Sequence, residues 1–219
     1  LQTGLNGHLP APPEKRFLIS GNSNFIWSGG CHELTTKARE LMEQKNPYDG
    51  PDDPEALQTW AMAKEEGFTA AVARLTQIIA MLDKVEPMIQ AKGNGEFEYL
   101  YNRIVTYHKH LQMVVLMDKG LASYAAAFMQ FNTTDHDLAK ALGNVELTIQ
   151  QAADISRDVA STFPKIIDHP TDLGILYLLN VWSIEDVDEF VNFIRRVVNY
   201  HHGQPYWENI SETKTEVVG

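Results

Sequence analysis

From Leu34 to Val198 the apolar residues of this chain return every three or four positions, with no sustained alternation of period two. Side chains at that spacing share one face of a helix, whereas a half-buried strand needs strict alternation. The first run, Leu34, Ala38, Leu41 and Met42, stops before Asn46-Pro47. Asp53-Pro54-Glu55 then opens a helix with an acceptor at the N-cap, a residue lacking N–H at the first position and an acid in the first turn. Leu57, Trp60, Ala61, Phe68, Ala71, Leu75, Ile78, Leu82 and Ile89 keep the period up to Lys92-Gly93-Asn94-Gly95. Gly67 weakens this run, and Pro87 is expected to kink or end it, because its ring clashes with the Asp83 carbonyl.

The longest helix is expected over 96–131, with Phe97, Leu100, Tyr101, Ile104, His108, Leu111, Val115, Ala122, Ala125 and Met129 inward. Thr134-x-x-Asp137 is a capping box with Asp in place of Glu. It starts a regular helix carrying Leu138, Leu142, Val145, Ile149, Ala152, Val159 and Phe163 on one face, ended by Pro164. Thr171 caps a short apolar helix through Asn180. Ser183-x-x-Asp186 caps a last one, with Ile184, Val187, Val191, Ile194 and Val198 inward and a stop at Gly203. Three long amphipathic helices joined by short loops imply an all-α, up-and-down bundle of antiparallel helices, since each stripe is stable only against a neighbour.

The first 31 residues lack that period and hold Gly4, Gly7, Pro10, Pro12, Pro13, Gly21, Gly29 and Gly30. Pro-Ala-Pro-Pro favours an extended path. Phe17-Leu18-Ile19-Ser20 and Asn24-Phe25-Ile26-Trp27 are apolar anchors too short for a sheet of their own, docked on the bundle or on a neighbouring domain. The chain thus divides into an extended connecting strip (1–31), a helical bundle domain (32–210) and a polar, frayed tail (211–219). It opens on Leu1 with neither an initiator Met nor a targeting sequence, which reads as a piece of a longer polypeptide and leaves the compartment open.

Composition narrows the function classes. A net charge of −11 with scattered basic residues argues against nucleic acid, whose phosphates need clustered Lys and Arg. The single cysteine, Cys31, excludes an internal disulfide framework and a multi-Cys zinc site. No apolar run approaches the roughly 18 residues of a membrane span. Gly4-x-x-Gly7 and Gly29-Gly30 match neither phosphate-binding glycine fingerprint. The Glu-x-x-His spacing of di-iron bundles is absent, and His108 and His110 point apart on a helix, so no metal or cofactor is expected. Cys31 beside His32 lacks the spatial pairing of a catalytic dyad. Asp52-Asp53, Glu65-Glu66, Glu96-x-Glu98 and Asp186-x-Asp188-Glu189 read as helix starts and solvated faces, not as the facing carboxylates of a glycosidase.

Two constellations remain. His108 sits on the apolar stripe beside Tyr107 and Tyr101, with Asp118 ten residues on. Tyr107, His108 and Asp118 are candidate buried polar residues, either a proton-transfer or ligand-facing patch or, more commonly, a satisfied core histidine and its neighbours. Trp27, Tyr48, Trp60, Trp182, Tyr206 and Trp207 fall near loops and helix ends. Sugar rings stack on such faces, which makes Trp27, Tyr48 and Trp207 candidate substrate-binding residues, against ordinary packing at the bundle ends.

Three stretches carry a resemblance: Phe25-Ile26-Trp27-Ser28; Asn46-Pro47-Tyr48-Asp49 with Asp53-Pro54-Glu55; and Asp168-His169-Pro170-Thr171-Asp172-Leu173-Gly174. With them the chain resembles the C-terminal helical domain that follows the catalytic (β/α)₈ barrel in some glycoside hydrolases. It departs from that pattern in the wide spacing between Trp27 and Asn46. The resemblance implies a soluble, acidic, all-α domain of a carbohydrate-active hydrolase, periplasmic or secreted. Such a domain supports the active-site cleft or dimerisation and does not catalyse alone, because the catalytic carboxylates belong to the barrel. Its partners would be carbohydrate or another domain of the same polypeptide. Two other readings stand beside it: a free-standing all-α enzyme or cofactor- or small-ligand-binding bundle using the His108 interior, and a non-enzymatic interaction scaffold, including a homo-oligomer.

Overall fold

The structure is a computed structural model that describes residues 23–90, 95–130, 136–167 and 183–202. These residues form five α-helices: α1 (Ser23–Met42), α2 (Pro54–Gln90), α3 (Gly95–Gln130), α4 (His136–Thr162) and α5 (Asp186–His201). A 3₁₀ turn, Phe163–Ile166, follows α4 and has Pro164 in its first positions, where a missing N–H does no harm. No strand occurs among the described residues.

Side-chain pairs fix the helix directions. Thr76 of α2 meets His108 of α3, and Asp83 meets Tyr101, so moving forward on one helix moves backward on the other. Lys109 with Asp158 and Gly120 with Ile149 set α3 against α4 in the same sense. Glu146 with Arg195 and Arg157 with Asp188 do so for α4 and α5. Helix α1 lies against α3 and α5. The result is the expected all-α bundle of antiparallel helices, with α3 at its centre. Its buried residues include Tyr107, Leu111, Met113, Val114, Met117, Leu121, Tyr124 and Ala125, which span close to half of the helix circumference.

Several local expectations are met. Asp53 Oδ1 accepts a hydrogen bond from the Ala56 N–H at 2.9 Å, the N-cap that starts α2. Leu138, Leu142, Val145, Ile149, Ala152, Val159 and Phe163 are all buried, so α4 presents its stripe as read.

Others are corrected. Residues 23–31 of the expected extended strip are helical, Gly29 and Gly30 included. Leu34, Ala38 and Leu41 bury the downstream half of α1, and an anchored helix propagates at low cost despite about 1 kcal/mol per glycine. Helix α2 runs through Pro87 to Gln90. The N-cap of α5 falls at Glu185, not at the expected Ser183, and Glu185 makes no side-chain hydrogen bond there. Instead the Ser156 hydroxyl donates to the Ser183 carbonyl, and the Asp186 carboxylate accepts from Arg39 of α1 at 2.6 Å. Leu100 and Met129, expected inward, lie near the two ends of α3 and are 50% and 43% exposed. The expected Thr134 capping box, the Thr171–Asn180 helix, the Gly203 stop, residues 1–22 and the tail 211–219 lie outside the described residues.

Candidate functional site

The loop between α1 and α2 is held by an aromatic cluster. The Tyr48 ring lies 6.3 Å from Phe193 and 5.5 Å from Tyr200. The Nε2–H of His201 donates to the Tyr48 carbonyl at 2.9 Å. Burial lowers the His201 pKa more than that bond and Asp49 raise it. Gly50 takes φ of +100°, and a Cβ there would stand 2.5 Å from the Phe128 ring, so this position requires glycine. With its amide oriented by its neighbours, Gln44 donates to the Gly50 carbonyl at 3.1 Å and accepts from the Asp52 N–H at 3.3 Å.

Fixing that loop shapes an open cleft of about 410 Å³ where α1 ends and α2 begins. Lys37, Glu40 and Leu41 of α1 line it with Gln44 from the turn that follows, Pro51, Asp52 and Asp53 form its lip, and Ala56, Leu57 and Trp60 come from the first turns of α2. Trp60 is half-buried and contributes the large apolar surface. The ammonium of Lys64, paired with Glu33 of α1, stands 6.0 Å from the Trp60 ring centroid, which fixes the indole by a cation–π contact. One aromatic face among amide and carboxylate groups suits a ring that is apolar on its faces and polar at its edge.

The buried polar candidates are not brought together. His108 is half-buried between α2 and α3. The Thr76 hydroxyl donates to the Val72 carbonyl at 3.0 Å, so its oxygen accepts from His108 Nε2–H at 2.9 Å. Burial lowers the His108 pKa, which keeps the ring neutral. Tyr107 faces the core, and burial raises its hydroxyl pKa. Asp118 lies about 15 Å further along α3 by helical rise, too far for proton exchange with His108. It has no exposed surface, and neither carboxyl oxygen has a hydrogen-bond partner. Burial raises its pKa to about 8, with Glu65 and Glu33 adding to the rise and Lys64 opposing it. No group of three His, Cys, Asp or Glu side chains among the described residues is placed to hold a metal ion, and no described helix is long and apolar enough to cross a membrane.

Of the aromatic candidates, Tyr48 contacts Phe193 and Tyr200, and its carbonyl accepts from His201. Trp27 lies within α1 with its side chain outside the described residues, as are Trp182, Tyr206 and Trp207. Trp60 is the aromatic side chain that reaches the cleft. Its polar companions Lys37, Glu40 and Gln44 escaped sequence reasoning because nothing local pairs the end of α1 with the second turn of α2. The one usable signal was their spacing on one helical face just before the loop. No family model, curated protein or solved structure gives a significant match to this chain.

Proposed function

We propose that this chain is a helical domain of a carbohydrate-active enzyme of the glycoside hydrolase type, and that it lends a sugar-contacting rim through the Trp60 cleft without catalysing on its own. The observation that carries this reading is the composition of the cleft: the Trp60 indole lines it together with the carboxylate residues Glu40 and Asp52 and with Lys37. A pyranose offers C–H groups on its face and hydroxyls at its edge, which match that arrangement. The carboxylates are committed to structure in a way that favours binding over hydrolysis. Glu40 is paired with Lys37, and Asp53 caps α2. A hydrolase needs one carboxyl as acid and a second as base or nucleophile at a set separation. The sequence resemblance supports the same reading, and the His108 interior does not favour the competing ligand-binding one.

Isothermal titration with a panel of oligosaccharides tests this. Weak binding, in the millimolar to micromolar range typical of one stacked ring with few polar contacts, is expected for the wild type. Trp60→Ala should weaken it at least about tenfold, while Trp60→Phe retains most of it. Undiminished binding by a folded Trp60→Ala protein, or no heat with any sugar of the panel, would sink the proposal.

A further inference from the structure

Asp118 lies on α3 where that helix meets α1 and α2. Thr76 of α2 pairs with His108, and ten residues further along α3 the antiparallel register sets Asp118 level with the turn of α2 that carries Lys64 and Glu65. Helix α1 closes the junction through Glu33, whose carboxylate pairs with the Lys64 ammonium at 2.5 Å. The Asp118 carboxyl has no exposed surface and no hydrogen-bond partner for either oxygen. The charged groups that act on it are Lys64 and Glu65 from α2 and Glu33 from α1. From α4, the buried residues at that level, Ile149 and Ala152, are apolar. One ammonium thus stands among three carboxyl groups, and it also lies 6.0 Å from the Trp60 ring centroid.

We propose that Asp118 and Glu33 compete for Lys64, so that loss of the Asp118 proton draws the ammonium inward, away from Glu33 and from the Trp60 indole. Solvation sets the direction. The Lys64 and Glu33 side chains are 37% and 55% exposed, so their pair is worth little and Glu33 regains water when it is released. An ionised carboxylate buried without a counter-ion is far more costly. The flexible four-carbon stem of lysine lets one Cα serve either partner. Protonated, Asp118 needs no cation and leaves Lys64 clasping α1 to α2. Ionised, it recruits that cation. Burial raises the Asp118 pKa to about 8, which places the changeover in mildly alkaline solution. The exchange acts on the indole whatever the cleft binds, so it does not rest on the glycan reading.

Fluorine NMR of the chain labelled with 5-fluorotryptophan tests it from about pH 6 to about pH 10, the span between ordinary carboxylate and lysine titration. The Trp60 resonance is identified by its absence from Trp60→Phe. In the wild type it should shift through a transition centred near pH 8. That transition should vanish in Asp118→Asn, which keeps the shape and cannot ionise, and in Lys64→Met, which removes the shared cation. Glu33→Gln takes away the competitor and should move the transition to lower pH. Should Asp118→Asn fail to fold, Lys64→Met and Glu33→Gln, both at solvent-accessible positions, carry the test. A Trp60 resonance that shows no transition near pH 8 in the wild type overturns the proposal. So does a transition that persists in Asp118→Asn or Lys64→Met, or one whose midpoint stays or rises in Glu33→Gln.

Discussion

At neutral pH a carboxyl group without solvent or hydrogen-bond partners holds its proton, and Asp118 is in that position. Its folded-state pKa of about 8 stands above the ordinary 3.8, so its effect on stability has a definite sign. Below 3.8 the group is protonated in folded and unfolded chains alike, and the fold has its full stability. As pH rises toward about 8 the unfolded chain releases the proton while the folded chain keeps it, and stability falls by at most about 1.4 kcal/mol per pH unit. Above about 8 the loss levels off. Asp118→Asn should therefore gain stability over the wild type progressively from about pH 4 to about pH 8, reaching a few kcal/mol. Urea denaturation of both proteins across that range checks it, and a difference that does not vary with pH would refute it. Sequence reasoning singled out Asp118 as a buried polar group but paired it with His108. The helical period places both on a similar face of α3 and says nothing of the rise between them.

Among the helices, Gly120 lets α3 and α4 come close together. A Cβ on Gly120 would stand 2.6 Å from Ile149 Cγ1, so the two backbones meet where one side chain is missing. Gly120→Ala should destabilise by about 1–2 kcal/mol, the overpacking outweighing the roughly 1 kcal/mol by which alanine favours a helix. Gly143→Ala, on α4 with nothing within 4 Å of the added methyl, should instead stabilise by about 0.5–1 kcal/mol. Equilibrium denaturation of the two variants gives opposite signs if the approach is as described. The stripe of α4 was legible because that helix packs on one side. The stripe of α3 was only half-legible: a central helix buries a wider arc than one stripe, and Met113, Met117 and Tyr124 lie well to one side of the expected face. The N-cap of α5 falls at Glu185 and not at the expected Ser183, and Asp186 accepts from Arg39 across the bundle.

Across the whole molecule, the distal half of the α2–α3 hairpin is packed more thinly than the centre. Residues 76–88 include no buried position, whereas α3 is buried repeatedly from Thr106 to Ala127. Hydrogen exchange should therefore be faster at the amides of 78–88 than at 111–125, because local opening there exposes little apolar surface. Equal exchange rates in the two segments would contradict the packing described.

The sequence by itself determined that the chain is helical, where α2 starts and where α4 ends. Periodicity, the Asp53 cap and Pro164 are local signals that act within a few residues. It also determined which helices are long enough to need antiparallel neighbours. Only the tertiary structure decided that α1 extends back through Gly29 and Gly30, that α3 takes the centre, and that Tyr48 meets Phe193 and Tyr200 while Trp60 reaches a cleft. The same holds for the exposure of Ile78, Met81, Val85 and Met88 on α2, which lie at the same helical spacings as buried residues. Burial depends on which surfaces meet, and that is a property of the assembled bundle that no single helical repeat encodes.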